Sequence, residues 1–151
     1  MSGTKLLADN RRARYDYFVS DSLEMGLVLV GTEVKSMKAA QFSFNDAWVD
    51  LDAAGELWIR NLHINPYKMA GLDNHDPDRR KKLLAHKEEV KKLRRQVDEK
   101  GFTLIPLDFH LKEGRIKVTV GVCKGKREYD KRNTIKEKDQ KRDLDRELRR
   151  E

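Results

Sequence analysis

The stretch FTLIPLDFHLKEGRIKVTVGVC, at residues 102–123, predicts two β-strands that pair with each other. Aliphatic, aromatic and β-branched side chains dominate residues 102–111 and 115–123, and these residue types are enriched in strands. Between them, Lys112-Glu113-Gly114 is a short polar turn with a glycine. The two strands are therefore expected to form an antiparallel hairpin.

Four further strands are predicted nearer the N-terminus, at residues 14–19, 27–30, 42–51 and 56–62. The last two are joined by Asp-Ala-Ala-Gly at residues 52–55, which is typical of a hairpin turn. Between the strands, residues 20–25 are expected to form a helical turn. Thr32 is expected to cap a short helix that runs to Ala40.

One long amphipathic helix is predicted between the fourth and fifth strands. Asp76 precedes Pro77, which places a capping carboxylate before a proline at the first helical position. Apolar residues then recur at spacings of 7, 3 and 4, at Leu83, Val90, Leu93 and Val97. The helix is expected to end near Gly101.

Six short strands with one helix predict a mainly β fold with helices, built as a small closed antiparallel β-barrel of the oligonucleotide-binding type. Closure removes the exposed edges that a sheet of this size would otherwise have. The order of the strands stays open. We expect one domain at residues 1–123, followed by a basic tail at residues 124–151.

The tail is set apart by its composition. Twenty of its 28 residues are charged, and its twelve basic and eight acidic residues hold +4 of the net charge of +7. Ile135 lies about 180° from Leu144 on a helix, so no apolar stripe exists to pack on a folded body. The tail is therefore expected to be disordered alone. On a helix, at least four of its twelve basic side chains fall within about 20° of one line, including Lys131, Lys138, Arg142 and Arg149.

The whole chain of 151 residues carries 33 Lys and Arg against 26 Asp and Glu, a balance that favours a nucleic-acid partner. No apolar run is long enough for a signal sequence or a membrane span, and Cys123 has no second cysteine to pair with. We therefore expect a soluble cytoplasmic protein. The four histidines are scattered without metal-ligand spacing, so we predict no metal, no cofactor, no catalytic residue and no enzymatic activity.

Two basic clusters in the body have two interpretations each. Residues 10–15 place three arginines beside Tyr15, a mixture that suits single-stranded or irregular RNA but also occurs in solvated clusters. Residues 79–82, Arg-Arg-Lys-Lys, could contact RNA or form a solvated helix face. The sequence pattern does not decide between these interpretations.

Four segments taken together resemble one family. They are NRRAR at residues 10–14, GTEVKS at 31–36, Asp76-Pro77 with RKKLL at 80–84, and GVCKGKREYDKR at 121–132. In this order they resemble the SsrA-binding protein (SmpB) family, and the resemblance covers nearly the whole chain.

This resemblance implies a ribosome-rescue factor that acts in trans-translation. Proteins of the family fold as an oligonucleotide-binding-type barrel and bind the tRNA-like domain of transfer-messenger RNA (tmRNA). They deliver it to stalled ribosomes, where the tail becomes helical in the empty mRNA channel near the decoding centre. The protein is expected to be a monomer when bound to RNA. Chemistry alone leaves open a general single-stranded RNA-binding protein or RNA chaperone, and a structural protein of the ribosome.

The resemblance also implies roles for particular residues. RNA binding is expected of Asn10, Glu24, Leu84 and Lys117, with Arg12 and Lys35 as neighbours. Function at the decoding centre is expected of Gly125, Lys126, Tyr129, Asp130, Lys131 and Arg132. Tyr129 stands where some members have His, and Gln140 where some have a large aromatic residue. A titrating ring at the first position and a stacking contact at the second are therefore in question.

Overall fold

The computed structural model describes residues 4–125, which contain nine β-strands, three α-helices and one 3-10 turn. The strands are β1 (Thr4–Asp9), β2 (Tyr17–Leu27), β3 (Phe42–Ser43), β4 (Trp48–Leu51), β5 (Leu57–Arg60), β6 (His63–Ile64), β7 (Lys81–Leu84), β8 (Thr103–Lys112) and β9 (Arg115–Gly125). The helices are α1 (Arg11–Asp16), α2 (Gly31–Lys38) and α3 (Lys87–Lys100), and the 3-10 turn is Lys68–Ala70.

Strand pairing in the main sheet follows the order β1-β8-β4-β5-β7-β2-β9, and β9 pairs again with β8. Six strands are thus linked in a closed cycle of antiparallel pairs, with β1 added outside β8. Strands β4 and β8 are joined by a single residue pair, in which Val49 lies opposite Leu104. The prediction of a mainly β fold with helices is confirmed.

Both predicted hairpin turns are present, but the predicted strand at residues 42–51 is divided into β3, which pairs with β6, and β4, which pairs with β5. In the β8–β9 hairpin, Lys112 lies opposite Arg115, and the two turn residues have positive φ angles of 53° at Glu113 and 77° at Gly114. Such a turn matches the twist of the strands that it joins. The β4–β5 hairpin pairs Leu51 with Leu57.

The N-terminal elements differ from the prediction. Residues 4–9 form β1, which the sequence analysis did not predict, because the pairing with β8 comes from the far end of the chain. Residues 14–19 do not form one strand, since α1 continues to Asp16 and β2 begins at Tyr17. The Asn10 side chain caps α1 by accepting a hydrogen bond from the Ala13 amide at 3.0 Å, and Asn is a favourable cap.

The predicted helical turn at residues 20–25 is wrong, because these residues lie inside β2. The register against β9 shifts between Val19 and Asp21, so the polar stretch forms a bulge instead of a turn. The predicted strand at residues 27–30 is also wrong, since β2 ends at Leu27 and Val30 caps α2. Val30, not Thr32, holds the cap position, and its amide donates to Glu33 Oε1 at 2.9 Å.

The long helix begins later than predicted. Asp76 and Pro77 belong to a turn in which the Arg79 amide donates to the Asp76 carbonyl at 3.2 Å. Residues 81–84 then form β7, which pairs with both β2 and β5, and α3 starts only at Lys87. Its end is as predicted, with Gly101 left-handed at φ 69°. The stripe Val90, Leu93 and Val97 packs against the core, whereas Leu83 is a buried strand residue.

The core lies inside the cycle of strands. Its centre contains Phe109, which is fully buried and contacts the rings of Phe42 and Phe44 at centroid distances of 5.4 and 4.9 Å. Helix α3 closes one side of this core through Leu93. Within residues 4–125, no helix is both long enough and apolar enough to cross a bilayer.

Candidate nucleic-acid interface

The outer face of β2, β9 and β8 carries neighbouring polar residues that point away from the core. Side chains alternate across a strand, and the row Met25, Val118 and Phe109 is buried inside the sheet. The rows on either side therefore face outward, namely Glu24–Thr119–Asp108 and Gly26–Lys117–His110. We call these six residues and Lys112 the outer strip.

A chain of hydrogen bonds runs across the outer strip. Lys112 Nζ donates to Glu24 Oε1 at 3.3 Å, and Glu24 Oε2 lies 2.9 Å from His110 Nε2. His110 Nδ1 lies 2.8 Å from Asp108 Oδ1, which also accepts a hydrogen bond from Thr119 Oγ1 at 3.0 Å. His110 is the buried centre of this chain, with 9% of its side chain exposed, whereas Glu24 is 39% exposed and Lys112, at the end of the chain, is 48% exposed.

The ring of His110 is held between two carboxylates. Burial opposes the charged imidazolium, but the hydrogen bonds and charges of Glu24 and Asp108 outweigh it and raise the pKa of His110 above 6.5. The hydrogen bond from His110 is in turn the main reason why the pKa of Glu24 lies below its usual 4.5. The strip therefore favours a protonated His110 between ionised carboxylates.

Three of the residues with an expected role in RNA binding come together here. Gly26 lies two residues after Glu24, and a Cβ atom at Gly26 would lie 3.7 Å from Lys117 Nζ and 3.5 Å from Leu84 Cβ. Leu84 is 53% exposed. Lys117 forms no ion pair with any of residues 4–125. Leu84 and Lys117 thus offer an apolar contact and an available cation at Gly26, beside a cleft of about 260 Å³, and Glu24 offers an acceptor two residues away on the same face of β2.

Asn10 is buried and its polar atoms are used inside the protein. Its Oδ1 caps α1, its Nδ2 donates to the Pro106 carbonyl at 2.9 Å, and its backbone amide donates to the Leu107 carbonyl at 2.7 Å. These bonds place the start of α1 beside the Asp108 end of the outer strip. Arg12 projects from α1 with 68% of its side chain exposed and pairs with Asp16 at 3.4 Å. The geometry therefore gives Asn10 the means to position Arg12.

Lys35 lies apart from the outer strip. Its neighbour Val34 lines the same cleft as Lys117, but the Lys35 ammonium reaches the ring of Tyr67, 5.4 Å from the centroid. An aromatic ring beside a cation can stack on a base. The structure thus places Lys35 at a second, separate position of the surface.

The basic run at residues 79–82 is neither a helix face nor a set of free cations. Arg79 pairs with the fully buried Glu33, and Arg80 lies 4.0 Å from the centroid of the Trp58 ring. Lys81 is fully buried, and its Nζ donates to the carbonyls of Leu62 and Pro77 at 2.6 and 3.2 Å. Lys82 pairs with Glu56. All four cations have partners inside the protein.

Of the expected tail residues, Gly125 is described. It is the last residue of β9 and pairs with Tyr17, so the sheet continues two residues beyond Cys123. The other tail residues with expected roles lie outside the described residues, namely Lys126, Tyr129, Asp130, Lys131, Arg132, Lys138 and Arg142.

The sequence analysis missed His110, Asp108, Lys112 and Thr119 as members of the site. A signal exists, because Asp108, His110 and Lys112 are spaced by two on a predicted strand and must share one face. Glu24, which contacts His110, lies 86 residues earlier in the chain, so this contact is visible only in the fold.

A mainly antiparallel β protein that displays cations, paired carboxylates and an exposed leucine on one sheet face belongs in kind with small nucleic-acid-binding proteins. Comparison with known proteins makes this specific. The family model described as "SmpB protein" matches residues 7–150. The chain belongs to the SmpB protein family.

Relatives cover almost the whole chain. The SsrA-binding protein of Treponema denticola is 49% identical over 144 residues, which are 95% of this chain and 93% of the relative. The SsrA-binding protein of Clostridium beijerinckii is 50% identical over 140 residues, 93% and 89% of the two chains. A solved structure described as "tmRNA-SmpB: a journey to the center of the bacterial ribosome" contains a chain that is 40% identical, with a TM-score of 0.66. It covers 85% of this chain and 93% of that one.

Proposed function

We propose that this protein binds the tRNA-like domain of tmRNA and delivers it to stalled ribosomes for trans-translation. The observation that carries the proposal is the family match over residues 7–150 together with relatives named SsrA-binding protein at about half identity. The neighbouring structure combines tmRNA and SmpB with the ribosome. On this proposal the protein acts in the cytoplasm as a binding protein and carries out no reaction itself.

The fold that supports this role is the closed cycle of antiparallel strands, which we interpret as an oligonucleotide-binding-type barrel. Closed barrels of this type present one outer sheet face to nucleic acid. Residues 1–123 would hold the RNA-binding domain. Residues 124–151 would form the tail that becomes helical in the ribosome.

Within the domain, we assign RNA contact to Glu24, Leu84 and Lys117, which lie together around Gly26. Lys117 would neutralise a phosphate, and Glu24 would accept hydrogen bonds from base amino groups such as cytosine N4. Arg12 and Lys35 would contact the RNA at positions beyond this centre. Asn10 would act through Arg12, since its own polar atoms are occupied.

The direct test is the RNA that copurifies with the protein from cells. A tagged full-length chain is expected to recover one tRNA-like species, and the double variant Glu24→Ala/Lys117→Ala should lose most of it. Recovery of many unrelated single-stranded RNAs would support a general RNA-binding protein instead. Stoichiometric recovery with every ribosome would support a structural ribosomal protein.

The tail is tested separately. Replacing Lys138 and Arg142 by Glu should abolish peptide tagging and leave tmRNA affinity unchanged, because both residues lie on the predicted cationic line of the helix. The matched control is Lys136→Glu, about 140° away from that line at 100° per residue. Equal loss of tagging in both variants would mean that net charge matters and the helical face does not.

A further inference from the structure

We propose that His110 is a positioning residue for RNA recognition, which holds the Glu24 carboxylate in the orientation that meets the RNA. The inference rests on the proposed function, since it concerns the same contact. It adds a residue to the interface that lies too deep to be an RNA contact itself, with 9% of its side chain exposed.

The geometry is that of a clamp across two neighbouring strand pairs. His110 on β8 reaches past the register partner Lys117 on β9 to Glu24 on β2, and its other ring nitrogen is fixed by Asp108. Thr119 donates a hydrogen bond to the same Asp108 oxygen. The ring is thus oriented from one side and delivers its Nε2 to Glu24 on the other.

Glu24 needs such support because it projects from the middle of a strand on a flexible side chain. Fixing a glutamate side chain costs conformational entropy, and hydrogen bonds to an ionised group can offset that cost. His110 and Lys112 each hold one carboxylate oxygen, at 2.9 and 3.3 Å. A carboxylate held in this way meets the RNA already ordered, so less affinity is lost on binding.

The clamp depends on the protonation of the ring. Only the imidazolium has two N–H groups, so only this form can donate to Glu24 and Asp108 together. The neutral ring must leave one carboxylate facing a lone pair. The raised pKa of His110 extends the clamped state to pH values above about 6.5, and the clamp is lost as pH rises through that pKa.

Other charges surround the ring and are part of the balance. Lys112 lies on the same strand, and Lys117 is the register partner of His110 on β9. On the β1 side the register partner of His110 is Leu6, and the nearest acidic residue is Asp9, opposite Asp108. Asp9 is already paired with Arg14 at 2.8 Å. Glu24 and Asp108 are therefore the acids that hold the proton on the ring.

The test is the affinity of the full-length protein for a transcribed tRNA-like domain of tmRNA, measured by fluorescence anisotropy from about pH 6 to pH 9. Wild-type affinity should fall by about 3- to 10-fold as pH rises, because a Glu24 side chain that is no longer held must be ordered on binding. His110→Gln should bind as weakly at low pH as the wild type does at high pH, with a flat profile. His86→Gln is the matched control, since His86 has a 92% exposed side chain, and it should keep the wild-type profile.

A double-mutant cycle separates positioning from a structural effect. In a Glu24→Ala background, His110→Gln should change neither the affinity nor its pH dependence, because no carboxylate is left to position. Identical pH profiles for wild type and His110→Gln would overturn the inference. So would a His110→Gln loss that persists in the Glu24→Ala background.

The Glu24→Ala variant and an NMR titration distinguish a failure of the inference from a failure of the proposed contact. If Glu24→Ala alone binds the RNA as well as wild type, the proposed contact of Glu24 fails, and the inference fails with it. If Glu24→Ala weakens binding but the cycle shows no coupling, the proposed function stands and the inference alone falls. Should His110→Gln fold poorly, NMR titration of the His110 ring replaces it. Its pKa should then fall in both Glu24→Gln and Asp108→Asn, and an unchanged pKa in Glu24→Gln would overturn the clamp.

Discussion

Two basic parts of this protein show opposite uses of positive charge. The run at residues 79–82 has four consecutive basic residues, more than the three arginines at residues 11–14, yet each of its side chains is engaged by a carboxylate, a ring or backbone carbonyls. The outer strip has only two lysines, but Lys117 forms no ion pair with the described residues. A cation that already has a partner inside the protein has little to offer a phosphate. The availability of charge, more than its density in the sequence, indicates the interface.

The largest effect is expected where the run pairs with a fully buried carboxylate. Arg79→Met leaves the Glu33 carboxylate, which is fully buried, without its ion partner, and an uncompensated buried charge is strongly destabilising. We expect a loss of about 3 kcal/mol in the free energy of unfolding, measured by urea denaturation. The double variant Glu33→Met/Arg79→Met should recover part of it. A loss below about 1 kcal/mol for Arg79→Met would mean that this pair is not structural.

Lys81 comes next. Lys81→Met keeps the length of the side chain but removes the donor to the carbonyls of Leu62 and Pro77. Burial lowers the pKa of Lys81, because the buried site disfavours its charged form. Removing the ammonium therefore also removes an unfavourable desolvation of charge, which offsets part of the loss of the two hydrogen bonds. We expect a destabilisation of about 1–3 kcal/mol with no change in RNA affinity below the melting temperature. Weaker RNA binding by a fully folded Lys81→Met protein would contradict the structural role.

In the outer strip the expected effect moves from stability to binding. Lys117→Ala should weaken RNA binding several-fold and reduce the slope of log affinity against log salt by roughly 1, because one phosphate contact is lost. Its unfolding free energy should change by less than about 0.5 kcal/mol. Equal salt slopes for wild type and Lys117→Ala would exclude a phosphate contact at this residue.

The smallest effect is expected for Lys82, the exposed end of the run. Lys82 forms an ion pair with Glu56, and the two side chains are 39% and 40% exposed. Such exposed pairs contribute about 0–1 kcal/mol to stability. Lys82→Ala should therefore leave the salt slope of RNA binding at the wild-type value and barely change stability. A slope reduced as much as in Lys117→Ala would show that the two basic regions do not differ in use.

Local patterns predicted those parts of the fold in which the paired residues are close in sequence. The β8–β9 hairpin and the β4–β5 hairpin follow from strand-forming residues on either side of a turn, and the stripe Val90, Leu93 and Val97 follows from helical spacing. Strand β7 could not be predicted in this way. Its pairing with β2 and β5 overrides the helical interpretation of Leu83, and that pairing is decided by residues far away in the chain.

The same distinction between local patterns and long-range contacts applies to the candidate site. Resemblance to the family indicated Glu24, Leu84 and Lys117 from residue types at matching positions, and the fold brings these three together. It also indicated Asn10, but could not tell that its side chain is used up by the Ala13 amide and the Pro106 carbonyl. Whether a polar atom is free depends on its neighbours in space.

The sequence by itself determined the mainly β class, the two hairpins, the position of the helical stripe and the family, because each is recorded in residues that are neighbours along the chain or in matched order. Only the tertiary structure decided the closed order of the strands, the burial of Lys81 and the clamp of His110 on Glu24. These features depend on contacts between residues far apart in the chain, such as Tyr17 opposite Gly125 and His110 beside Glu24. Such contacts form only when long-range strand pairing has fixed which side chains share a face.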